Sequence, residues 1–222
     1  MVYTGSTRKR TFLSELARNG WGRCFSLTVE PAKPQTGEPW LCDNGVYAAY
    51  AHGAEWDGGL YQERLERAER ECHPASVLVL PDVVGDAAAS RQRSLQWLYR
   101  MPAGWPLYYV LQDGVMERDL RGIDEHLTGL FLGGTDRFKS QADRWCRAAH
   151  ERGLRFHYGR AGTLRKTRHA QRVGADSLDS AFPLWTQERF ARFVRVVTGA
   201  EHEAQAEFEF ERMEEAASDD QR

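Results

Sequence analysis

The sequence predicts an α/β fold, a TIM-like (β/α)8 barrel that is reduced or irregular. Three observations predict it. Strand-like and helix-like stretches alternate along the chain, the pattern of repeated βα units on a parallel sheet. The 222 residues suit one such domain and leave little room for a second. Polar or glycine residues recur where the strand-like runs end: Asp43, Asp82, Gln112, Gly133-Gly134, Gly159 and Asp179. In a barrel those ends converge on one face, where active sites are built. A doubly wound open sheet is the alternative, and it would converge only the ends near its switch point.

In chain order, a short helix is expected over residues 12–18, closed by Asn19-Gly20. Strands are expected over 24–29, 40–43, 77–81, 107–111, 130–133, 155–158 and 177–181, each a short apolar run. Helices are expected over 60–72, 87–99, 116–127, 141–152, 164–173 and 186–197. Asp86 and Ser140 suit N-caps, and Gly153 and Gly174 suit C-terminal stops. Seven strands fall one short of a regular barrel, hence the reduced or irregular form. Residues 1–200 read as the single domain and 201–222 as an acidic tail, helical or disordered.

Composition narrows the class. With 41% hydrophobic and 11% aromatic residues the chain can bury a sizeable core. No apolar run approaches the 20 or so residues of a membrane span. The opening Met1-Val-Tyr-Thr-Gly-Ser-Thr-Arg8 lacks the apolar stretch of a secretory signal. The four cysteines form no CxxC pair and read as reduced thiols of a cytoplasmic protein. Cys72-His73 lacks the further ligands a zinc site needs, and no metal is expected. The net charge of −2 conceals an asymmetry: residues 201–222 hold nine acids and two arginines, leaving 23 acids against 28 bases in the body. A moderately basic body fits a polyanionic partner. Neither GxGxxG nor GxxxxGK[ST] occurs, which argues against a dinucleotide or nucleoside-triphosphate site.

The most informative segment is Gly174-Ala-Asp-Ser-Leu-Asp-Ser-Ala-Phe-Pro183, which places Asp176 and Asp179 in a small, apolar run. A carboxylate at a buried strand end is expensive to desolvate unless it is hydrogen-bonded or reactive. Asp43, in Trp40-Leu-Cys-Asp-Asn-Gly-Val-Tyr47, is a second such acid, and an Asx turn that caps its own loop is its plain structural explanation. Asp82 follows an apolar run and reads equally well as a cap near the Asp86 helix. Gln112 offers both hydrogen-bond polarities, as a base reader would. Gly133-Gly134 would let a flat ligand approach the backbone. His157 reads first as a packed, hydrogen-bonded residue and second as a general base. Arg160, Arg165, Lys166, Arg168 and Arg172 form a basic run suited to phosphates or to a solvated helix face.

Taken in order, these segments resemble the tRNA-guanine transglycosylase family over roughly residues 40 to 185. Asp43-Asn-Gly-Val-Tyr47 is similar to its Asp-Ser-Gly-Gly-Tyr/Phe segment, and Gln112-Asp-Gly to its Gln-Gly-Gly. Gly129-Leu-Phe-Leu-Gly-Gly134 is similar to Gly-Tyr-Ala-Ile-Gly-Gly, and His157-Tyr-Gly159 to Leu-Met-Gly. Gly174–Pro183 closely resembles Gly-Val-Asp-Met-Phe-Asp-Cys-Val-Leu-Pro. The resemblance implies a (β/α)8 barrel that exchanges guanine for a 7-deazaguanine in a polynucleotide. It implies Asp179 as nucleophile and Asp43 as general acid/base. Asp82, Gln112 and the Gly133-Gly134 backbone, with Gly159 in the matching segment, correspond to base recognition, and Tyr47 and Tyr158 to rings that sandwich the base.

The chain departs from that family in two places. The zinc-binding CxCxxC run is missing, since residues 186–222 hold no cysteine, and Trp185 replaces an arginine. The compact branch without zinc acts on DNA, often in phages. DNA is therefore the expected partner and tRNA the alternative, with no cofactor and a bacterial cytoplasm, or a phage gene expressed there, as the setting. A nucleoside glycosidase or transferase, or a noncatalytic nucleic-acid-binding subunit, are the other readings.

Overall fold

The computed structural model describes residues 1–200, so the acidic segment expected over 201–222 lies outside the described residues. Eight parallel strands close into a barrel in sequence order. They are β1 (Val2–Gly5), β2 (Gly22–Ser26), β3 (Trp40–Asp43), β4 (Val77–Val79), β5 (Leu107–Leu111), β6 (Gly129–Leu132), β7 (Arg155–Tyr158) and β8 (Ser177–Ser180). The barrel is irregular in its connections and complete in its strands. The eighth strand is β1, four residues without a sequence pattern of their own, which pairs with both β2 and β8 through Tyr3. The expected strand over 24–29 is shifted: it starts at Gly22 and ends at Ser26, where the chain turns through Val29 N–H to Ser26 C=O.

The helices are α1 (Arg10–Arg18), α2 (Val46–Ala51), α3 (Gly58–Glu71), α4 (Ala87–Leu98), α5 (Asp136–Lys139), α6 (Ala142–His150), α7 (Leu164–Arg172) and α8 (Gln187–Thr198). Asp86 caps α4 as its sequence position predicts, accepting from Ala89 N–H at 2.9 Å. Gly153 and Gly174 end their helices with φ of +69° and +79°, a region open to glycine. Ser140 is not an N-cap: its hydroxyl donates back to Arg137 C=O at 2.7 Å, and α6 begins after Gln141. The helix expected over 116–127 is replaced by two 3-10 turns, Glu117–Leu120 and Asp124–His126. Asp119 accepts from Met116 N–H, and Arg121 is extended, which interrupts the helical ladder.

Strand alternation separates two cores. Tyr3, Leu41, Val77, Val79, Tyr108, Val110 and Phe131 fill the barrel. Trp40, Cys42 and Leu78 point outward against Tyr61, Leu65 and Ala68 of α3, and Phe12, Trp21, Phe190 and Phe193 pack where α1 meets α8. Burial of each large side chain contributes about 1.5–3 kcal/mol. The β2–β3 connection has no helix. The Arg23–Glu38 pair at 2.7 Å holds it instead, with Arg23 also donating to Thr7 and Lys33 carbonyls. No described helix is long and apolar enough to cross a membrane.

Candidate active site

The two acids at β8 stand at opposite ends of the barrel. Asp176, just before the strand, accepts from Phe156 N–H at 2.7 Å and pairs with His150 at 2.9 Å, and its carbonyl accepts from the Met1 amino group at 2.8 Å. It fastens the N-terminal end, the stability face of such barrels. Asp179, three residues on, opens at the C-terminal end into a cavity of about 240 Å³. Asp43, Asp82, Gln112, Gly133, Tyr47 and Arg160 line the same cavity. Ligand sites commonly run from about 300 to 1,000 Å³, so this cavity lies just below the small end of that range.

Asp179 is held asymmetrically. Its Oδ1 accepts from His157 Nε2 at 3.0 Å and from Arg160 N–H at 2.9 Å. Among the described residues, none donates to Oδ2. His157 is fully buried, and its Nδ1 lies 2.8 Å from Ser177 Oγ. A carboxylate can only accept, so the hydrogen-bond network puts the imidazole proton on Nε2 and has Nδ1 accept from Ser177. Burial lowers the His157 pKa despite Asp179, which keeps the ring neutral. Burial alone would raise Asp179; the hydrogen bond from neutral His157, the Arg160 N–H and the Lys139 charge outweigh it and hold the carboxyl below its ordinary value.

Asp43 behaves oppositely. Its Oδ1 accepts from Gly45 N–H at 2.8 Å, so the Asx turn and the cavity-facing role coexist. Burial, then repulsion from Asp179 and Asp82, push it up to about 6 against the stabilising Gly45 N–H and neighbouring Ser26. Ser26 Oγ, on the paired strand, is buried without a partner that meets hydrogen-bond geometry, so it offers a polar contact to an occupant. Two carboxyls pushed apart in one cavity can divide the work, one as anion and the other as acid.

Asp82 is not a helix cap. It is 5% exposed and accepts from Asn44 Nδ2 at 2.9 Å and Gln112 Nε2 at 2.6 Å. Gln112 Oε1 in turn accepts from Gly85 N–H at 3.0 Å, which fixes the amide orientation. Gly133 belongs at the wall: a Cβ there would stand 2.7 Å from Val110 Cγ1 and 2.9 Å from Leu111 C=O. The Gly134 carbonyl accepts from the Arg160 guanidinium at 2.7 Å. That guanidinium also lies 3.9 Å from the centre of the exposed Tyr47 ring. Arg160 has φ of +53°, a strained conformation for a side-chain-bearing residue, and the bond to Asp179 is made from it.

Two expectations are corrected by geometry and a third is divided. Tyr158 faces the helices and not the cavity, its hydroxyl 3.4 Å from His169, because strand residues alternate and His157 takes the inward position. Gly159 sits beside Phe131, outside the cavity wall, and its carbonyl accepts from Lys139 Nζ. The basic run is divided: Arg160 joins the barrel cavity, Arg165 and Lys166 line another cavity, and Arg168 lines neither.

Sequence reasoning did not find Ser26, Asn44 or the pairing of His157 with Asp179. Ser26 is in phase with Cys24 on β2, a signal hidden by the misplaced strand end. At Cys72-His73 the histidine nitrogens lie 3.1 and 3.2 Å from the Pro74 and Gln35 carbonyls. No cluster of three or more metal-binding side chains occurs among the described residues. No known protein-family model matches the chain, and no curated protein does.

Proposed function

We propose that the protein is a base-exchange transglycosylase that replaces guanine in DNA with a 7-deazaguanine. The observation that carries the reading is the carboxyl pair. Asp179 and Asp43 line one cavity, with Asp179 held below its ordinary pKa and Asp43 pushed up to about 6. The low one suits a nucleophile and the high one a proton carrier.

Asp179 Oδ2 attacks C1′ of the target nucleotide. The C1′–N9 bond breaks, its electron pair goes to the departing guanine, and protonated Asp43 supplies the proton that guanine needs. The sugar is left covalently on Asp179. The incoming 7-deazaguanine loses its N9 proton to Asp43 as N9 attacks C1′, and Asp179 leaves as carboxylate. Two displacements retain configuration. A base inside a duplex is out of reach, so the target is flipped out or single-stranded. Tyr47 at the mouth offers a stacking face worth roughly 1–3 kcal/mol. The Asp82–Gln112–Asn44 network is the base reader.

The experiment is incubation with labelled guanine or 7-deazaguanine and either DNA or tRNA. Label in DNA supports the proposal, label in tRNA alone replaces DNA with tRNA, and label in neither overturns it.

A further inference from the structure

A second cavity, of about 270 Å³, lies between α5 and α7 on the helix side of β7. Arg165, His169 and Arg172 recur at helical spacing along α7 and face it, with Lys166 beside them and Lys139 from α5 opposite. Asp136 is the one carboxylate in its lining and is paired with Lys166 at 2.7 Å. Among the described residues, no carboxylate pairs with Arg165 or Arg172. Burial and then Arg160 push Lys139 down to about 7, and burial with Arg172 and Arg165 lowers His169. Cations crowded around a cavity favour an anion there, and guanidinium forks match phosphate oxygens.

Position identifies the source of the phosphate. The two cavities share the segment Tyr158-Gly159-Arg160: Tyr158 lines this one and Arg160 the barrel cavity. Lys139, in the lining of this cavity, donates to the Gly159 carbonyl, so the one short turn after β7 borders both cavities. We infer that the cavity between α5 and α7 is a phosphate subsite for the backbone beside the nucleotide that enters the barrel. The inference rests on the polynucleotide reading of the barrel site.

The test measures binding alone, with no deazapurine present. A labelled single-stranded DNA oligonucleotide is titrated by anisotropy, and inorganic phosphate by calorimetry. The proteins are the wild type, an Arg165→Ala/Arg172→Ala double variant and an Arg67→Ala/Arg70→Ala control on α3. Oligonucleotide affinity of the first variant should fall about tenfold or more, equally for all sequences. The salt slope should become shallower by roughly 0.7 for each phosphate no longer neutralised. Phosphate binding should weaken too, and the control should match wild type. Unchanged DNA affinity and slope would overturn the inference. Loss of phosphate binding with DNA binding intact would also overturn it, by making free phosphate the ligand. A protein inactive in exchange can pass this test and an exchanging one can fail it, so the two proposals fail separately.

Discussion

His157 and Asp179 meet across adjacent strands, Nε2 to Oδ1 at 3.0 Å, and the Arg160 N–H occupies the same oxygen at 2.9 Å. Both donors meet Oδ1, so among the described residues Oδ2, the oxygen that attacks in the proposed reaction, has no donor. A hydrogen bond to a charged group contributes about 1.5–3 kcal/mol, roughly ten- to 150-fold in rate. His157→Leu should lower kcat by that factor with KM little changed. It should also move the acid limb of the pH profile upward, because Asp179 loses its main stabilising donor. His157→Gln keeps an amide donor and should restore part of the rate. A Leu variant with normal kcat and an unmoved limb would remove His157 from the account.

Asp43 gives a pH-dependent stability. Its folded value, about 6, lies above the ordinary 3.8, so the fold favours the protonated carboxyl. That stabilisation is whole below pH 3.8 and is lost as pH rises through about 6. Its size is at most about 3 kcal/mol. Asp43→Asn is neutral throughout, so its melting temperature should gain on wild type between pH 4 and 7. Parallel melting curves across that range would show that Asp43 is not shifted. In exchange kinetics the same group should give a limb near pH 6 that Asp43→Asn lacks.

Tyr47 should act on binding. Removing its ring forfeits a stack of about 1–3 kcal/mol, so Tyr47→Ala should raise KM for the polynucleotide about five- to 150-fold. Tyr47→Phe, which keeps the ring, should lose less. An Ala variant with unchanged KM would place the base elsewhere.

Gly133 tests the cavity wall. A methyl there meets Val110 Cγ1 at 2.7 Å and the Leu111 carbonyl at 2.9 Å. Gly133→Ala should therefore destabilise by about 1–3 kcal/mol, as overpacking does, readable as a lowered denaturation midpoint. A midpoint equal to wild type would mean the β5–β6 wall yields more easily than its packing implies.

Much of the site is legible in the sequence because barrel chemistry collects at strand ends. Asp43, Asp82, Gln112, Gly133 and Asp179 can each be placed from a local apolar run followed by a turn, and all five line one cavity. Tyr158 is misplaced by the same logic because adjacency along a strand is not adjacency in the site, and its side chain faces the helices. β1 escapes a sequence reading because four residues without alternation carry no signal; only pairing with β2 and β8 makes them a strand. The His157–Asp179 contact depends on the β7–β8 register, His157 beside Ser177. That is a long-range fact no local pattern encodes.

The most direct test of the central claim is mass spectrometry of the protein denatured during reaction with a guanine-containing single-stranded oligonucleotide. The account predicts a covalent adduct on the peptide carrying Asp179, lost with Asp179→Asn together with exchange. An adduct on another residue, or full exchange by Asp179→Asn, would contradict it.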